Sequence, residues 1–482
     1  MANKFLNFFK ISEPAAQRYD NPSEEQKTYK KLRFQSFLAI TLGYGLYYVC
    51  RTSLNVMKQP IIDSGFLSAS QLGVIGSCLL FTYAIGKFLN GFLGDYCNAK
   101  RFMATGLIIS AAANTIMGLL GVEAAGAGAA NAFIFILFAI MWGINGWGQS
   151  MGAAPCVVSL SRWFPLKIRG TYYGFWCLAH NLGEFLSFIF VGLIVSAAGW
   201  QAGFFGSAVA GVIGVVIILF MLHDTPESKG LRPVEVLSGE CTDEEYAQRK
   251  AAAAAKNGSR AAQVARKQWE VIKNPKVWIL ALASAFMYIS RYALNGWGVL
   301  FLQKAKDFSL EMATTIVSVN ALLGIFGTAL SGWLSDKLFK GDRYIPALLC
   351  GVLLSASFAL FLYGGNSVIV NGVAMALFGT AVGALICFLG GLMAVDIVPR
   401  EVSGAALGVV GLASYVAAGI QDVVSGRLID KYATTEIVDG VEKIVEYDFG
   451  PVSIFWLTAS VISFLLPLLN VYLKKREAKR NA

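Results

Sequence analysis

Long apolar runs separated by short polar segments recur along almost the whole chain. Each run is close to the ~20 residues that an α-helix needs to cross a hydrocarbon core of roughly 30 Å. About twelve such runs are present, which predicts an all-α membrane protein. The predicted helices are 34–60, 70–91, 102–121, 132–158, 169–196, 200–222, 277–302, 312–335, 344–363, 367–395, 402–425 and 451–473.

The polar stretches divide these helices into two sets of six. The stretch in the middle of the chain is rich in Lys, Arg and Ala, and we predict a cytoplasmic tether that carries a surface helix. The predicted segments are, in order, an N-terminal segment, a first bundle, a linker, a second bundle and a tail, which cover 1–33, 34–222, 223–276, 277–473 and 474–482.

The two sets carry corresponding residues at corresponding positions. Arg51 lies 44 residues before Asp95, and Arg291 lies 45 residues before Asp336. A second group recurs at a constant offset of 234, in which Pro165, Gly170 and Gly174 return as Pro399, Gly404 and Gly408. Such parallel repeats are related by an axis along the membrane normal. The sequence therefore predicts two six-helix pseudo-repeats, with Arg51 and Arg291 at equivalent positions on the first and seventh helices.

Both arginines lie inside apolar runs, where a charge is costly. A guanidinium at the centre of a membrane helix costs about 2.5–3.5 kcal/mol on insertion scales, so it indicates a buried anionic partner. Tyr48 precedes Arg51 by three residues and Tyr288 precedes Arg291 by three, which puts each tyrosine on the same helix face as its arginine. We infer an anion held between the two halves. The alternative is that each arginine pairs with a carboxylate or with carbonyl oxygens of a neighbouring helix.

Composition and charge exclude several other classes of protein. The chain is 56% hydrophobic and only 15% charged, as in polytopic membrane proteins. Its net charge of +10 comes mostly from Lys and Arg in alternate loops, a positive-inside pattern that indicates topology and not a nucleic-acid partner. That pattern predicts that both termini are cytoplasmic. The polar N-terminal segment does not resemble a cleavable signal peptide.

Motifs for metal binding and catalysis are missing from the sequence. The eight cysteines show no CxxC or Cys/His spacing, and we interpret them as small hydrophobic residues. The sequence contains no GxSxG, P-loop or HExxH motif. We therefore expect no cofactor, no metal and no enzymatic activity.

Two motifs resemble known families. Gly91 to Asp95 followed by Lys100-Arg101, with a weaker copy at Gly332 to Asp336, resembles the loop motif of the major facilitator superfamily. The stretch Arg162 to Gly183 resembles the organophosphate:phosphate antiporter family, which contains bacterial carriers of hexose phosphate and glycerol phosphate. The resemblance covers almost all of the chain except the linker and the loop 431–448. It implies the major facilitator fold, with a binding site between the repeats.

The resemblance also implies site residues. In that family the arginines that match Arg51 and Arg291 are the phosphate ligands, and the residues that match Lys87 and His180 line or adjoin the same cavity. Arginine suits this task because its planar fork matches phosphate oxygens. Four tyrosines also lie at positions similar to those of cavity tyrosines in the glycerol-phosphate branch of the family, namely Tyr44, Tyr48, Tyr288 and Tyr415. The alternatives are a snorkelling or paired Lys87 and a His180 that only packs.

The loops on the cytoplasmic side are expected to gate the movement of the two halves. The gating residues that we predict are Asp95, Lys100, Arg101 and Asp336. For Asp95 the alternative is a helix cap with no part in gating.

Three departures from the family pattern concern charged positions. Glu184 follows His180 where the family motif continues His-Asn-x-Gly-Gly, and it either pairs with a cation inside the membrane or carries a proton. Leu407 to Val410 lacks both charges of the Asp-Gly-Ile-Lys stretch found in hexose-phosphate carriers. Asp422 has no counterpart, and it either pairs with a lumenal cation or lines a polar vestibule.

The function implied by the resemblance is secondary transport. The expected reaction is exchange of an organic phosphate, such as the hexose phosphate glucose 6-phosphate, for inorganic phosphate by alternating access. The alternative is a membrane-bound sugar-phosphate sensor of the same fold that acts through a signalling partner. We expect a monomer in the lipid bilayer of a bacterial inner membrane, with organic phosphate and inorganic phosphate as its partners.

Overall fold

The computed structural model is a bundle of long helices, and it describes residues 7–16, 19, 21–123, 130–333, 338–339, 342–398, 403–438 and 441–481. Ten helical stretches among these residues are long and apolar enough to cross a membrane. One of them, Phe175–Met221, contains two helices, because the backbone at Gly199 has φ 82° and ψ 170°. The less apolar helix that carries Arg51 completes the twelve predicted spans. The prediction of a helical membrane protein is confirmed.

The first set of helices follows the predicted spans closely, except at its beginning. Its helices are α1 (Pro22–Asp63), α2 (Ala69–Tyr96), α3 (Ala99–Glu123), α4 (Ala132–Ser150), α5 (Ala153–Trp163) and α6 (Leu166–Met221). Helix α1 begins at Pro22 instead of residue 34, because Asn21 caps it by accepting a hydrogen bond from Ser23 N. A proline at the first helical position strengthens this start. The apolar run therefore predicted only the apolar part of the helix.

The segment between the two sets is partly helical. It contains a 3₁₀ turn (Glu227–Lys229), α7 (Val234–Leu237) and α8 (Asp243–Lys273). Helix α8 is the helix that the sequence predicted in the linker. It begins at a capping box in which Thr242 and Glu245 satisfy each other's main-chain N–H groups.

The described part of the second set consists of helices and one hairpin. Its helices are α9 (Pro275–Lys306), α10 (Leu310–Trp333), α11 (Tyr344–Tyr363), α12 (Val368–Cys387), α13 (Met393–Asp396), α14 (Ser403–Lys431) and α15 (Gly450–Asn481). A π-helical turn, Phe388–Leu392, joins α12 to α13. Strands β1 (Ala433–Val438) and β2 (Val441–Tyr447) pair antiparallel, so the prediction of a loop there is wrong. Their β-branched residues favour strands.

The two sets of helices are joined at the end of the bundle where α1 ends, which we call the distal end. There, Lys304 Nζ lies 2.7 Å from Asp63 Oδ1. The Asp430 carboxylate accepts hydrogen bonds from the main-chain N–H groups of Ala69 and Ser70, at 3.0 and 2.6 Å. This carboxylate of α14 thus meets the positive end of the α2 dipole. The division into two bundles and a linker stays a prediction, but these contacts bind the first set to the second.

Helices α2 and α14 approach each other closely along the same interface. A Cβ atom at Gly73 would collide with the main-chain oxygen of Asp422, and one at Gly76 would collide with the Asp422 carboxylate. Gly426 of α14 is equally close to the backbone of α2 at Ala69. Small residues allow such backbone contact between membrane helices. The contact brings Asp422 against α2, beside the centre of the bundle.

The opposite end, where α1 begins, is the terminal end, and Asp224 is its central acceptor. The Asp224 carboxylate accepts from Ser12 N at 2.8 Å, from Ala99 N at 2.9 Å and from Arg162 Nη1 at 2.6 Å. Next to it, burial and then the charges of Lys229 and Lys100 lower the pKa of His223 to about 4. One buried carboxylate therefore ties the N-terminal segment to α3 and α5, beside a neutral imidazole.

We expect Asp224→Asn to lower the free energy of unfolding by about 3 kcal/mol, as is usual when a buried ion pair loses one partner. An amide has a single acceptor oxygen, so it cannot accept all three bonds. Thermal unfolding of the purified protein in detergent measures the effect. The matched control is Glu227→Gln, because Glu227 joins this region through its main-chain oxygen, which accepts from Ala15 N. Equal stability of the two variants would contradict the assignment.

Candidate functional site

A cavity lies between the two sets of helices. Arg51 of α1 lines it, and Arg291 of α9 contacts its wall through Glu184. Both guanidinium groups are buried, with 6% of each residue exposed. The other polar residues that line the cavity are Thr52, Asn55, Glu184, Asn295 and Asp422. The structure thus brings together the two arginines that the repeat predicted to be equivalent.

Aromatic rings surround Arg51. Its Nη2 donates a hydrogen bond to the Tyr292 hydroxyl at 3.0 Å, and its Cζ lies 4.0 Å from the centroid of the Tyr83 ring. The rings of Tyr48 and Tyr415 follow at 5.4 and 5.5 Å. Cation–π contacts of this kind stabilise a desolvated guanidinium without neutralising it. Within the described part of the chain, Arg51 has no carboxylate partner, so its charge is available to an anion in the cavity.

Arg291 does have a carboxylate partner. Its Nη2 lies 3.4 Å from Glu184 Oε2, and Asn295 Nδ2 donates to Glu184 Oε1 at 2.7 Å. Asn320 of α10 in turn donates to Asn295 Oδ1 at 3.1 Å. Arg291 thus contacts a carboxylate of a neighbouring helix, which was one of the two predicted arrangements, and its role as a phosphate ligand stays a prediction. Of the two roles predicted for Glu184, pairing with a cation inside the membrane is therefore observed.

Two more of the predicted site residues meet at Tyr415. The Tyr288 ring centroid lies 5.4 Å from that of Tyr415, and Lys87 Nζ lies 5.1 Å from the same ring. The ring of Tyr83, which the sequence analysis did not single out as a site residue, completes the group at 4.7 Å. Lys87 therefore approaches the arginine region from α2, with aromatic rings between.

Tyr44 and His180 lie one layer further from the cavity. Both contact Tyr48, which lines it, with ring centroids 5.5 Å apart for Tyr44 and 6.0 Å apart for His180. Tyr44 also packs on Trp176 at 5.1 Å. In this arrangement both residues support Tyr48 and do not themselves line the cavity.

The predicted gating residues are described only in part. Asp336 and the side chain of Asp95 lie outside the described residues. Arg101 Nη1 donates to Phe8 O at 2.9 Å, so it holds the N-terminal segment against the start of α3. Lys100 is half-buried at the same place. The gating role of these residues stays a prediction.

A second buried ion pair joins the two sets of helices. Lys58 Nζ of α1 lies 2.7 Å from Asp422 Oδ1 of α14 and 3.7 Å from the Trp297 ring centroid of α9. Both predicted roles of Asp422 are therefore observed, because it pairs with a cation and also lines the cavity. Sequence reasoning missed Lys58, although it lies seven residues after Arg51 in the same apolar helix. It also missed Tyr292, the neighbour of Arg291.

Comparison with known proteins identifies the family. The sequence model of the Major Facilitator Superfamily matches residues 40–421. The chain belongs to this superfamily. Among solved structures, a bacterial homologue of the human lysosomal transporter Spinster, in an inward-facing and unoccupied conformation, has a TM-score of 0.66 at 18% identity, over 91% of this chain and 95% of that one. The major facilitator fold is therefore confirmed. The chain belongs to a family of transporters and not to a family of enzymes.

Curated relatives agree with the narrower resemblance to the organophosphate:phosphate antiporter family. The chain is 32% identical to a probable hexose phosphate transport protein of Chlamydia pneumoniae, over 84% of this chain and 87% of that protein. It is 31% identical to the glycerol-3-phosphate transporter of Bacillus subtilis, over 89% and 92%. It is also 30% identical to the membrane sensor protein UhpC of Escherichia coli, over 84% and 88%.

We expect Asp422→Asn to destabilise this major facilitator protein by about 3 kcal/mol or more, because Lys58 would be left buried without a counter-charge. The double variant Lys58→Met, Asp422→Asn is expected to recover most of the loss, since it removes both charges. Thermal unfolding of the three proteins in detergent forms the test. If the double variant is as unstable as Asp422→Asn alone, the two side chains do not act as a pair.

Proposed function

We propose that this chain is a secondary transporter that exchanges an organic phosphate for inorganic phosphate by alternating access. The observation that carries the proposal is the convergence of Arg51 and Arg291, one from each set of helices, on a single buried cavity region. Two guanidinium groups within a low-dielectric bundle are a strong attraction for a phosphate group. A phosphate bound there would bridge the two halves.

The exchange mode follows from the charge of the empty site. Glu184 already pairs with Arg291, so only Arg51 faces the cavity without a carboxylate among the described residues. Reorientation of an empty carrier would have to carry this charge through a closed, dehydrated state. A phosphate in the site supplies the missing counter-charge. Movement of the halves is therefore fast with either phosphate substrate bound and slow with none.

We propose a hexose phosphate, such as glucose 6-phosphate, as the organic substrate. The name of the Chlamydia pneumoniae relative supports this class, and the glycerol-3-phosphate transporter of Bacillus subtilis supports the wider class of phosphate esters. Thr52, Asn55 and Asn295 line the cavity beside Arg51 and provide hydrogen-bonding groups for hydroxyls. The protein is proposed to act as a monomer in a bacterial inner membrane, with both termini cytoplasmic.

A sensor of the same fold is the second candidate, because the chain is also similar to the sensor UhpC. A carrier must bind phosphate in both of its orientations, whereas a sensor must strongly favour one. Both functions require phosphate binding, so the measurement that separates them is transport across the membrane.

Arg51→Lys and Arg291→Lys are each expected to lower phosphate exchange by at least about tenfold, because a lysine point charge cannot replace the bidentate fork. Uptake of labelled phosphate by phosphate-loaded proteoliposomes measures the rate. Arg232→Lys is the matched control, since Arg232 forms its ion pair with Glu25 at the terminal end, at 2.8 Å. Normal exchange by Arg51→Lys or Arg291→Lys would remove that arginine from the site.

Loading decides between carrier and sensor. Vesicles that contain internal phosphate are expected to take up labelled external phosphate rapidly, and vesicles without it only slowly, because the empty site reorients slowly. Glucose 6-phosphate added outside should compete. Ligand binding without uptake into loaded vesicles would overturn the carrier assignment in favour of the sensor.

A further inference from the structure

Glu184 is the one described carboxylate in contact with either arginine of the site. It lies on α6, is 4% exposed and lines the cavity. Its Oε2 lies 3.4 Å from Arg291 Nη2. Glu184 belongs to the first set of helices and Arg291 to the second. A carboxylate at this place is unexpected for an anion carrier, because it repels the proposed substrate.

The two contacts of Glu184 differ in strength. The 2.7 Å bond from Asn295 Nδ2 is short, whereas the 3.4 Å contact with Arg291 is well beyond the ~2.7–2.9 Å of strong charge-assisted bonds. Asn295 is itself fixed by Asn320. The carboxylate is therefore anchored by an amide and held loosely by the guanidinium. It can release Arg291 and keep a hydrogen-bond partner.

The charges around Glu184 indicate which group its carboxylate compensates. Arg51 faces the same cavity from α1, and the charge of Asp422, which also lines the cavity, is neutralised by Lys58. Lys87 adds positive charge behind the Tyr415 ring. Glu184 is thus the anion that compensates Arg291 when the cavity holds no phosphate, and a carboxylate binds a guanidinium by the same fork geometry as a phosphate.

We propose that Glu184 occupies the place of phosphate oxygens on Arg291 in the empty site, and that an incoming phosphate group displaces it. This inference rests on the proposed phosphate transport and concerns the affinity of the same site. Glu184 is then a built-in competitor. It lowers the affinity for phosphate, and it speeds release by returning to Arg291 as the substrate leaves. A site that must fill and empty in every cycle requires such moderate binding.

Removal of the competing charge tests the inference. Glu184→Gln keeps the size of the side chain, but its amide has a single acceptor oxygen and cannot satisfy both Asn295 and Arg291. The dissociation constant for inorganic phosphate, measured by calorimetry on the purified protein at constant pH, is expected to fall by roughly tenfold. The maximal exchange rate in loaded proteoliposomes is expected to fall as well, because release becomes slower. Glu184→Ala should shift both quantities in the same directions.

The control removes a buried glutamate elsewhere. Glu25 accepts from Arg232 at 2.8 Å and is 1% exposed, but it lies at the terminal end. Glu25→Gln should reduce stability and leave the dissociation constant for phosphate unchanged. A structural role of Glu184 would weaken phosphate binding, so tighter binding is a result that damage to the fold does not produce.

The remaining outcomes separate this inference from the proposed function. If the wild-type protein binds phosphate, and both Glu184 variants bind it equally or more weakly, the competitor role is wrong while phosphate transport stands. If phosphate binds to neither the wild-type protein nor any variant, the proposed function fails and the competitor role fails with it.

Discussion

The cost of burying positive charge among apolar helices governs the centre of this molecule. Among the described residues, three buried cations lie there, and each is stabilised in a different way. Arg51 faces tyrosine rings and a hydroxyl, Arg291 contacts a carboxylate held by asparagines, and Lys58 forms a close ion pair. Only the third arrangement is self-sufficient, because its charges lie within 2.7 Å of each other. In the other two arrangements the guanidinium can still attract an anion, and this gives the cavity its affinity for one.

The distal contacts determine where that chemistry is placed. Helices α2 and α14 meet through glycines, and this contact places the carboxylate of Asp422 against Lys58 of a third helix. A methyl group at Gly76 would push Asp422 away from α2. Backbone contact, ion pair and cavity wall therefore depend on one another. A change at a glycine with no charge of its own would disturb the electrostatics of the site.

The membrane spans could be predicted from the sequence, because a hydrocarbon core imposes a length on every apolar run. The positions of Arg51 and Arg291 followed from the repeat, which is a property of spacing. The partners of Glu184 and Asp422 could not be predicted, since they lie 107 and 364 residues away and on the other set of helices. The start of α1 was missed for a different reason. Its cap is polar, and the apolar pattern does not extend to Asn21.

The position of Lys58 also has a spectroscopic consequence. Its ammonium lies 3.7 Å from the centroid of the indole of Trp297, and the two side chains come from α1 and α9, one from each set of helices. A cation at that distance perturbs the electron distribution of the ring, and so its ultraviolet emission. Separation of the distal ends would remove the cation from the indole. Trp297, one of the ten tryptophans of the chain, therefore lies where separation of the two sets of helices would change its surroundings.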